Sequence, residues 1–163
     1  MKLSQVAVRV AVTPFGAAMD RLCVRWLGES PVSWIFSRSE GVEYNTPLLL
    51  TTRGRRTGQS RTVVLPYFAA GRGRLAIVGS KGGMPTDPYW ALNLRADPKA
   101  TVFLRRKTVR VEVALAAGAE RDRLWSSITA RSPVYLTYQK RATGQREIPV
   151  FVLSSRDGSA LDR

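Results

Sequence analysis

Histidine is absent from this 163-residue sequence, and cysteine occurs only once, as Cys23. The chain therefore cannot form a disulfide framework, a zinc site of the Cys/His type, or a Ser-His or Cys-His catalytic pair. We expect no bound metal. Acidic residues are also scarce, with 12 against 26 Lys and Arg residues, for a formal net charge of +14. Much of ordinary enzyme chemistry is excluded by these absences.

Positive charge is spread unevenly along the chain. Most of it comes from arginine, whose planar guanidinium suits phosphate and carboxylate groups better than lysine does. Residues 44–86 contain no acid but carry seven basic residues: Arg53, Arg55, Arg56, Arg61, Arg72, Arg74 and Lys81. A polyanion is the expected partner, which leaves nucleic acid, an anionic membrane surface, or a small multiply charged ligand.

Length and composition predict one globular domain, because 44% of the residues are hydrophobic and 23% are charged. We divide the chain into an N-terminal helical, amphipathic segment (1–45), a barrel (46–154) and a polar tail (155–163). Residues 6–27 fit a helix interrupted at Pro14. This helix either covers one end of the barrel or rests on a membrane surface, with Trp26 and Trp34 nearby. The chain carries neither a good signal peptide nor a membrane span, so we expect a cytoplasmic location, with contact at the inner face of the plasma membrane.

Short strands and turns dominate from residue 46 onward. Apolar or β-branched runs predict strands at 48–52, 61–68, 75–78, 101–104, 108–115 and 148–153. Pro66 marks an edge or a bulge in the second of these. Asp87 as N-cap and Pro88 as first helical residue predict a short helix, and a second helix is predicted at 120–130. Six or so antiparallel strands with intervening helices indicate a small barrel.

Two glycine-containing turns are candidate anion sites. Residues 54–58, Gly-Arg-Arg-Thr-Gly, combine backbone N–H groups with guanidinium groups directly after a buried strand, although a plain basic hairpin turn has the same pattern. Residues 80–83, Ser-Lys-Gly-Gly, offer a hydroxyl and an ammonium group on permissive backbone. A third glycine pattern, GxGxxA at 71–76, precedes a strand and not a helix, so it indicates a hairpin turn and not a dinucleotide site.

Two pairs of residues, each three positions apart, are candidates for contact with flat ligands. Trp90 and Asn93 share one face of the short helix that also carries Tyr89, so an indole and an amide can flank a planar ring, or Trp90 is simply core. Tyr135 and Tyr138 are likewise three residues apart, and they either close a substrate slot or fill the barrel.

Four motifs in one order resemble the deazaflavin-dependent nitroreductase family. They are Leu-Leu-Leu-Thr-Thr-Arg-Gly-Arg-Arg-Thr-Gly-Gln-Ser-Arg at 48–61, Ser-Lys-Gly-Gly at 80–83, Asp-Pro-Tyr-Trp-Ala-Leu-Asn-Leu at 87–94 with Ala-Asp-Pro at 96–98, and Arg-Glu-Ile-Pro-Val at 146–150. The resemblance covers about residues 46–153. It implies an α+β, mainly β fold, a split β-barrel of the FMN-binding type with six to seven antiparallel strands and flanking helices. It also implies reduced coenzyme F420, a deazaflavin with an acidic phospholactyl-polyglutamate tail.

Roles of individual residues follow from the resemblance by position. The phosphate and tail are expected to bind at Gly54, Arg55, Arg56 and Arg61; Ser80 and Lys81 are expected near the ring and its linker; Tyr89, Trp90 and Asn93 are expected to line the cofactor groove. Tyr135 and Tyr138 match tyrosines that border the substrate in the family. The member best known for nitroimidazole activation has a further tyrosine where Ser132 stands here.

The expected activity is hydride transfer from the reduced deazaflavin to a flat, electron-poor acceptor: a quinone, an enone or a nitroaromatic compound. Ser80, Tyr135 and Tyr138 are the candidate catalytic donors to the developing negative charge on the acceptor. The alternatives are an FMN-binding oxidoreductase of the same barrel class and a basic nucleic-acid-binding barrel with aromatic residues for stacking. If the protein is the deazaflavin-dependent reductase, we expect it to bind no nucleic acid.

Overall fold

Residues 13–40 and 47–162 are described in the computed structural model, which has five helices and seven strands in these ranges. The helices are α1 (Pro14–Leu27), α2 (Pro31–Glu40), α3 (Tyr89–Ala96), α4 (Gly118–Arg131) and α5 (Val134–Ala142). The strands are β1 (Leu48–Arg53), β2 (Ser60–Leu65), β3 (Phe68–Gly71), β4 (Arg74–Val78), β5 (Lys99–Leu104), β6 (Lys107–Leu115) and β7 (Val150–Ser155). A short 3-10 turn, Lys81–Gly83, follows β4.

All seven strands belong to one antiparallel sheet with the order β2-β1-β5-β6-β7-β4-β3. The sheet curls into a half-barrel flanked by helices, which confirms the predicted α+β, mainly β class. The predicted single strand over residues 61–68 is wrong at its end, because Pro66 separates two strands that lie at opposite edges of the sheet. Proline has no N–H to donate to a ladder, so it ends β2 and the chain crosses to start β3 at Phe68.

Alternation along the strands divides the core between the two faces of the sheet. Leu75 and Ile77 of β4 belong to one buried cluster, together with Trp90 of α3. Ala76 and Val78 belong to a second cluster, which contains Leu124 and Ile128 of α4 and the aromatic ring of Tyr135 in α5. The sheet is therefore covered by α3 on one face and by α4 and α5 on the other. The segment around Tyr135, for which no element type was predicted, is a helix.

The N-terminal helix begins where the sequence predicted an interruption. Pro14 is the first residue of α1, and Thr13 caps it by accepting a 3.0 Å hydrogen bond from Gly16 N. Proline fits this position because its missing N–H has no acceptor in the first turn. The predicted helical residues 6–12 lie outside the described residues. The helix packs against β1 and β2, as expected for a helix that covers part of the barrel.

Two predicted hairpins are confirmed. The β5–β6 pair turns at Arg105 and Arg106, and the β3–β4 pair turns at residues 71–73. A Cβ at Gly73 would lie 2.9 Å from Cα of Ala160, so glycine is needed there. The C-terminal residues pack closely in this region, because Leu161 N donates to Gly73 O at 2.7 Å and its side chain is buried. The division of the chain at residues 45 and 154 stays a prediction.

Candidate active site

The loop between β1 and β2 is the tight hairpin that holds the first glycine motif. Gly54 N donates to Gln59 O at 2.8 Å, and Gly58 N donates to Gly54 O at 2.7 Å. Gly58 has a φ of +69°, and a Cβ at Gly54 would lie 3.0 Å from Thr57 Oγ1. The left-handed backbone at Gly58 therefore favours glycine, and the close approach of Thr57 disfavours a larger residue at Gly54. The loop is a basic hairpin turn, and its residues 54–57 also line a groove.

That groove has a volume of about 690 Å³ and lies between the loop, β2, α3 and α1. Its lining consists of Arg21, Gly54, Arg55, Arg56, Thr57, Ser60, Arg61, Thr62, Val63, Tyr89, Trp90 and Asn93. No acidic residue lines it. Within the described residues, no ion pair joins any of its four guanidinium groups to a carboxylate. An uncompensated cluster of arginines in a cleft is a strong attractor for anions.

Asn93 lies in this groove, but its amide holds protein groups in place. Its Oδ1 accepts a 3.1 Å hydrogen bond from Arg55 N, and its Nδ2 donates to Thr52 Oγ1 at 3.2 Å. Asn93 and Thr52 are both buried. The helix α3 is thus fastened to the end of β1 and to the start of the glycine loop. The role of Asn93 in the structure is to position the loop.

Tyr89 and Trp90, which are adjacent in sequence, are placed differently. Trp90 is 7% exposed and packs edge-on against Phe151 at a centroid distance of 5.6 Å, so most of its ring is core. Tyr89 is 75% exposed. Its ring lies 6.0 Å from the Arg55 guanidinium and 5.7 Å from the Lys81 ammonium. Tyr89 therefore connects the two turns that the sequence identified separately.

Ser80 and Lys81 do not line the groove directly. Lys81 Nζ donates to Thr86 Oγ1 at 2.9 Å. The same ammonium group lies over the ring of Tyr89, which lines the groove. The turn itself is held by Arg146, whose guanidinium donates to Ser80 O at 2.7 Å, Met84 O at 2.9 Å and Gly79 O at 3.0 Å. Arg146 belongs to a motif that the sequence analysis quoted without giving its residues a role.

Asp87 is not the N-cap of α3, because Pro88 occupies that position. The Asp87 carboxylate instead accepts hydrogen bonds from Arg146 and Arg95. Two guanidinium donors outcompete the helix N-terminus for one carboxylate, since charge-assisted hydrogen bonds are about twice as strong as neutral ones. Only the tertiary structure brings these arginines to Asp87.

The two predicted substrate tyrosines lie on α5: Tyr135 belongs to the second buried cluster, Tyr138 packs against that cluster, and neither lines the groove. The ring of Tyr135 packs edge-on against Phe68 and against Tyr138, both at 5.9 Å. Burial raises the pKa of Tyr135 well above its usual value, and the neighbouring Tyr138 adds to the increase. Tyr138 is half-buried and its backbone contacts the Ser80 turn at Gly83. The structure thus brings Tyr138 to the second turn and leaves Tyr135 in the core.

Five lining residues of the groove were not predicted as site residues: Arg21, Thr57, Ser60, Thr62 and Val63, of which Arg21 is the charged one. It lies on α1, more than thirty residues before the glycine loop, among apolar residues. Nothing in its local pattern distinguishes it from the other arginines of the N-terminal segment. Only the packing of α1 against β1 and β2 brings it to the groove.

Fold and groove together define a class of protein: a split-barrel protein whose basic groove suits a polyanionic cofactor. Comparison with known proteins agrees, since residues 33–155 match the model of the F420H(2)-dependent quinone reductase family. The chain belongs to this family, which confirms the resemblance to deazaflavin-dependent reductases. It is an F420-dependent oxidoreductase, and its cofactor is coenzyme F420.

Individual proteins and solved structures are also similar to this chain. An F420H(2)-dependent quinone reductase of Mycobacterium tuberculosis is 38% identical over 112 residues, which are 67% of this chain and 73% of the relative. A solved structure of an F420-H2 dependent reductase, FDR-A, is 33% identical with a TM-score of 0.59, covering 66% of this chain and 93% of that one. A second, described as a domain-swapped dimer, is 31% identical with a TM-score of 0.60, covering 77% and 100%.

Proposed function

We propose that this protein reduces a quinone with electrons from reduced coenzyme F420, which binds in the arginine groove. The observation that carries the proposal is the groove itself: four guanidinium groups, no lining carboxylate, and a glycine loop in which a Cβ at Gly54 would be crowded by Thr57 Oγ1 at 3.0 Å. This donor set suits a cofactor with a phosphate and an acidic tail. When bound, the reduced deazaflavin supplies the hydride.

Different residues bind the anionic part and the planar part of the cofactor. Arg55, Arg56 and Arg61 hold the anionic part of the cofactor, with the backbone of the glycine loop beside them. Each charge-assisted hydrogen bond contributes roughly 1.5–3 kcal/mol, so three or four of them approach the ~8 kcal/mol of a micromolar complex before association costs. Tyr89 and the exposed edge of Trp90 contact the planar part. Lys81, in the turn at residues 80–83, holds the ring of Tyr89 in place by a cation–π contact.

Proton delivery and charge stabilisation on the acceptor remain with the predicted donors Ser80, Tyr135 and Tyr138. Burial and position distinguish these three candidates. Tyr138 and Ser80 are half-buried and belong to neighbouring segments, whereas Tyr135 is buried with a raised pKa. We therefore propose Ser80 and Tyr138 as donors, with Tyr135 supporting the ring of Tyr138. Ser132, buried where the nitroimidazole-activating relative has a tyrosine, favours quinones over nitroaromatic compounds as acceptors.

A membrane surface is the proposed source of the apolar acceptor, with the protein on the cytoplasmic side. Four residues of α1, spaced 4, 3 and 4 apart, form an exposed apolar stripe: Phe15 at 77%, Met19 at 46%, Leu22 at 49% and Trp26 at 69%. Trp34 of α2 is 52% exposed nearby in sequence, and the net charge of +14 favours anionic lipid. No helix in the described ranges is long and apolar enough to cross a membrane.

The decisive experiment mixes the protein with reduced F420 and a panel of quinones, enones and nitroaromatic compounds, and follows cofactor oxidation by absorbance. We expect turnover with quinones and slower turnover with nitroaromatic compounds. An absorbance titration with FMN runs in parallel, as does a salt series with single-stranded DNA. Tight FMN binding without F420 oxidation, or salt-sensitive DNA binding alone, would overturn the proposal.

Membrane contact is tested separately by sedimentation with vesicles of anionic or zwitterionic lipid. Wild-type protein should sediment with the anionic vesicles. The double variant Phe15→Ser/Trp26→Ser should stay in the supernatant, because it removes apolar area from the stripe. Leu136→Ser is the matched control, since Leu136 is 47% exposed on α5, outside the stripe. Equal sedimentation of the stripe variant and the control contradicts this part of the proposal.

A further inference from the structure

Arg21 lines the groove but belongs to α1 and not to the glycine loop. It is half-buried on α1 and lines the same cavity as the loop arginines Arg55, Arg56 and Arg61. The groove is therefore completed by the N-terminal helix. A wall built from two distant parts of the chain can bind a long anion along more of its length than a single loop can.

The position of α1 over the groove is fixed at the middle of the helix and at its C-terminal end. The buried carboxylate of Asp20 accepts hydrogen bonds from Ser30 Oγ at 2.8 and 3.0 Å and from Val32 N at 3.4 Å, at the start of α2. At the C-terminal end, Arg106 Nη1 donates to Trp26 O at 3.4 Å, and Arg25 lies over the ring of Phe103 at 5.6 Å. Arg21 is thus carried on an anchored helix.

The acid nearest to Arg21 in sequence does not neutralise it. Asp20 is 8% exposed and its carboxylate is directed to the α1–α2 junction, while Arg21 lines the groove. Successive helical side chains point about 100° apart, which separates the two charges. No ion pair to Arg21 is found within residues 13–40 and 47–162. Holding like charges around one cleft is unfavourable until an anion enters it.

We propose that Arg21 is a further anion-binding residue, and that α1 closes the groove over the acidic tail of the cofactor. This inference rests on the proposed function and deepens it. Arg21 contacts the charged tail and not the ring, so its contribution concerns binding and not hydride transfer. Its removal relieves repulsion in the free protein and costs affinity in the complex.

The test compares Arg21→Ala with wild type by calorimetric titration of F420 at two salt concentrations. Loss of one charge-assisted contact should raise the Kd about tenfold and reduce the salt dependence of binding. The deazaflavin riboside that lacks phosphate and tail should bind both proteins equally. Arg21→Lys, which keeps the charge, should recover part of the affinity. Arg38→Ala on α2, whose guanidinium lies over Trp34 at 5.7 Å, is the control and should bind as wild type does.

Thermal unfolding supplies a readout that a purely structural role would not produce. Without ligand, Arg21→Ala should melt at or above the wild-type temperature, and its stabilisation by F420 should be smaller. A lower melting temperature without ligand, together with an unchanged Kd, would show that Arg21 only supports the helix.

The failure of this inference is distinguishable from failure of the proposed function. If wild type binds F420 and Arg61→Ala weakens binding, but Arg21→Ala binds as wild type does, the role of Arg21 is wrong and the groove assignment stands. If wild type does not bind F420, both are wrong.

Discussion

Arg146 Nη1 donates a 2.8 Å hydrogen bond to Asp87 Oδ1, and the two side chains are only 10% and 14% exposed. The same guanidinium holds three carbonyl groups of the segment between β4 and α3. One side chain from the start of the final motif thus fixes the turn that carries Ser80 and Lys81. Arg95 Nη2 contacts the other oxygen of Asp87 at 3.3 Å.

Arg146→Ala should destabilise the protein by about 3 kcal/mol, because it leaves three carbonyl groups, two of them in partly buried hydrogen bonds, and a partly buried carboxylate without their main donor. Arg146→Lys should recover little, since an ammonium group cannot reproduce the forked geometry. Urea unfolding of these variants, with Asp87→Asn and the double variant, gives the coupling energy. If the losses in the two single variants simply add, the pair is not coupled.

Asn93→Asp should fold well but bind cofactor poorly. A carboxylate can accept from Arg55 N and from the Thr52 hydroxyl, so the loop keeps its position. The new negative charge faces four arginines and competes with the ligand, so we expect a Kd at least tenfold higher. Asn93→Leu instead should lose stability, by about 1–3 kcal/mol, since it leaves a buried hydroxyl and an N–H unsatisfied. Equal binding by Asn93→Asp and wild type would contradict this role.

Gly83→Ala should be much more destabilising than Gly82→Ala. Both glycines have positive φ, +80° and +65°, so both substitutions cost roughly 1 kcal/mol from backbone conformation. A Cβ at Gly83 would also lie 2.5 Å from Tyr138 O, whereas one at Gly82 meets nothing within 4 Å. Urea unfolding midpoints measure the difference. Similar midpoints would mean that the turn and α5 are not packed as closely as the structure shows.

Tyr135 should stay protonated in the folded protein at pH 11. Burial raises its pKa above the unfolded value of about 10, so the neutral phenol contributes stability that is complete below pH 10 and lost as the pH rises beyond it. Phenolate absorbance at 295 nm should therefore be the same for native wild type and Tyr135→Phe at pH 11. In urea at that pH, wild type should show one more phenolate. A native difference of one tyrosine would contradict the prediction.

Arg56→Ala/Arg61→Ala should raise the Kd for F420 by well over tenfold, because two guanidinium groups leave the groove. Folding should be little affected, since both side chains are exposed and the hydrogen bond that Arg61 donates, to Gln59 Oε1, is exposed as well. Arg110→Ala, at an exposed position of β6 outside the groove, is the control for loss of a single positive charge. Fluorescence titration measures all three proteins, and an unchanged Kd in the double variant would remove the loop from the binding site.

Local features of the sequence were sufficient for most elements and for the chemistry of the groove. The Gly54–Gly58 loop, the turn at residues 71–73 and the helix over 118–131 follow from residue types whose backbone preferences act within a few positions. The absence of acid between residues 44 and 86 already predicted an anion site. These signals are short-range, so they do not depend on how the chain folds back on itself.

Contacts between distant segments were decided by the tertiary structure alone. The sequence by itself determined where the arginines, the glycine turns and the acid-free stretch lie, and these predicted an anionic, planar partner. It did not determine that Arg21 would line the groove, that the Asp87 carboxylate would bind Arg146 and not cap α3, or that Tyr135 would lie in the core. Each of these depends on which faces of α1, α3 and α5 pack against the curled sheet. Packing is set by the sum of many weak contacts across the whole chain, which no local pattern records.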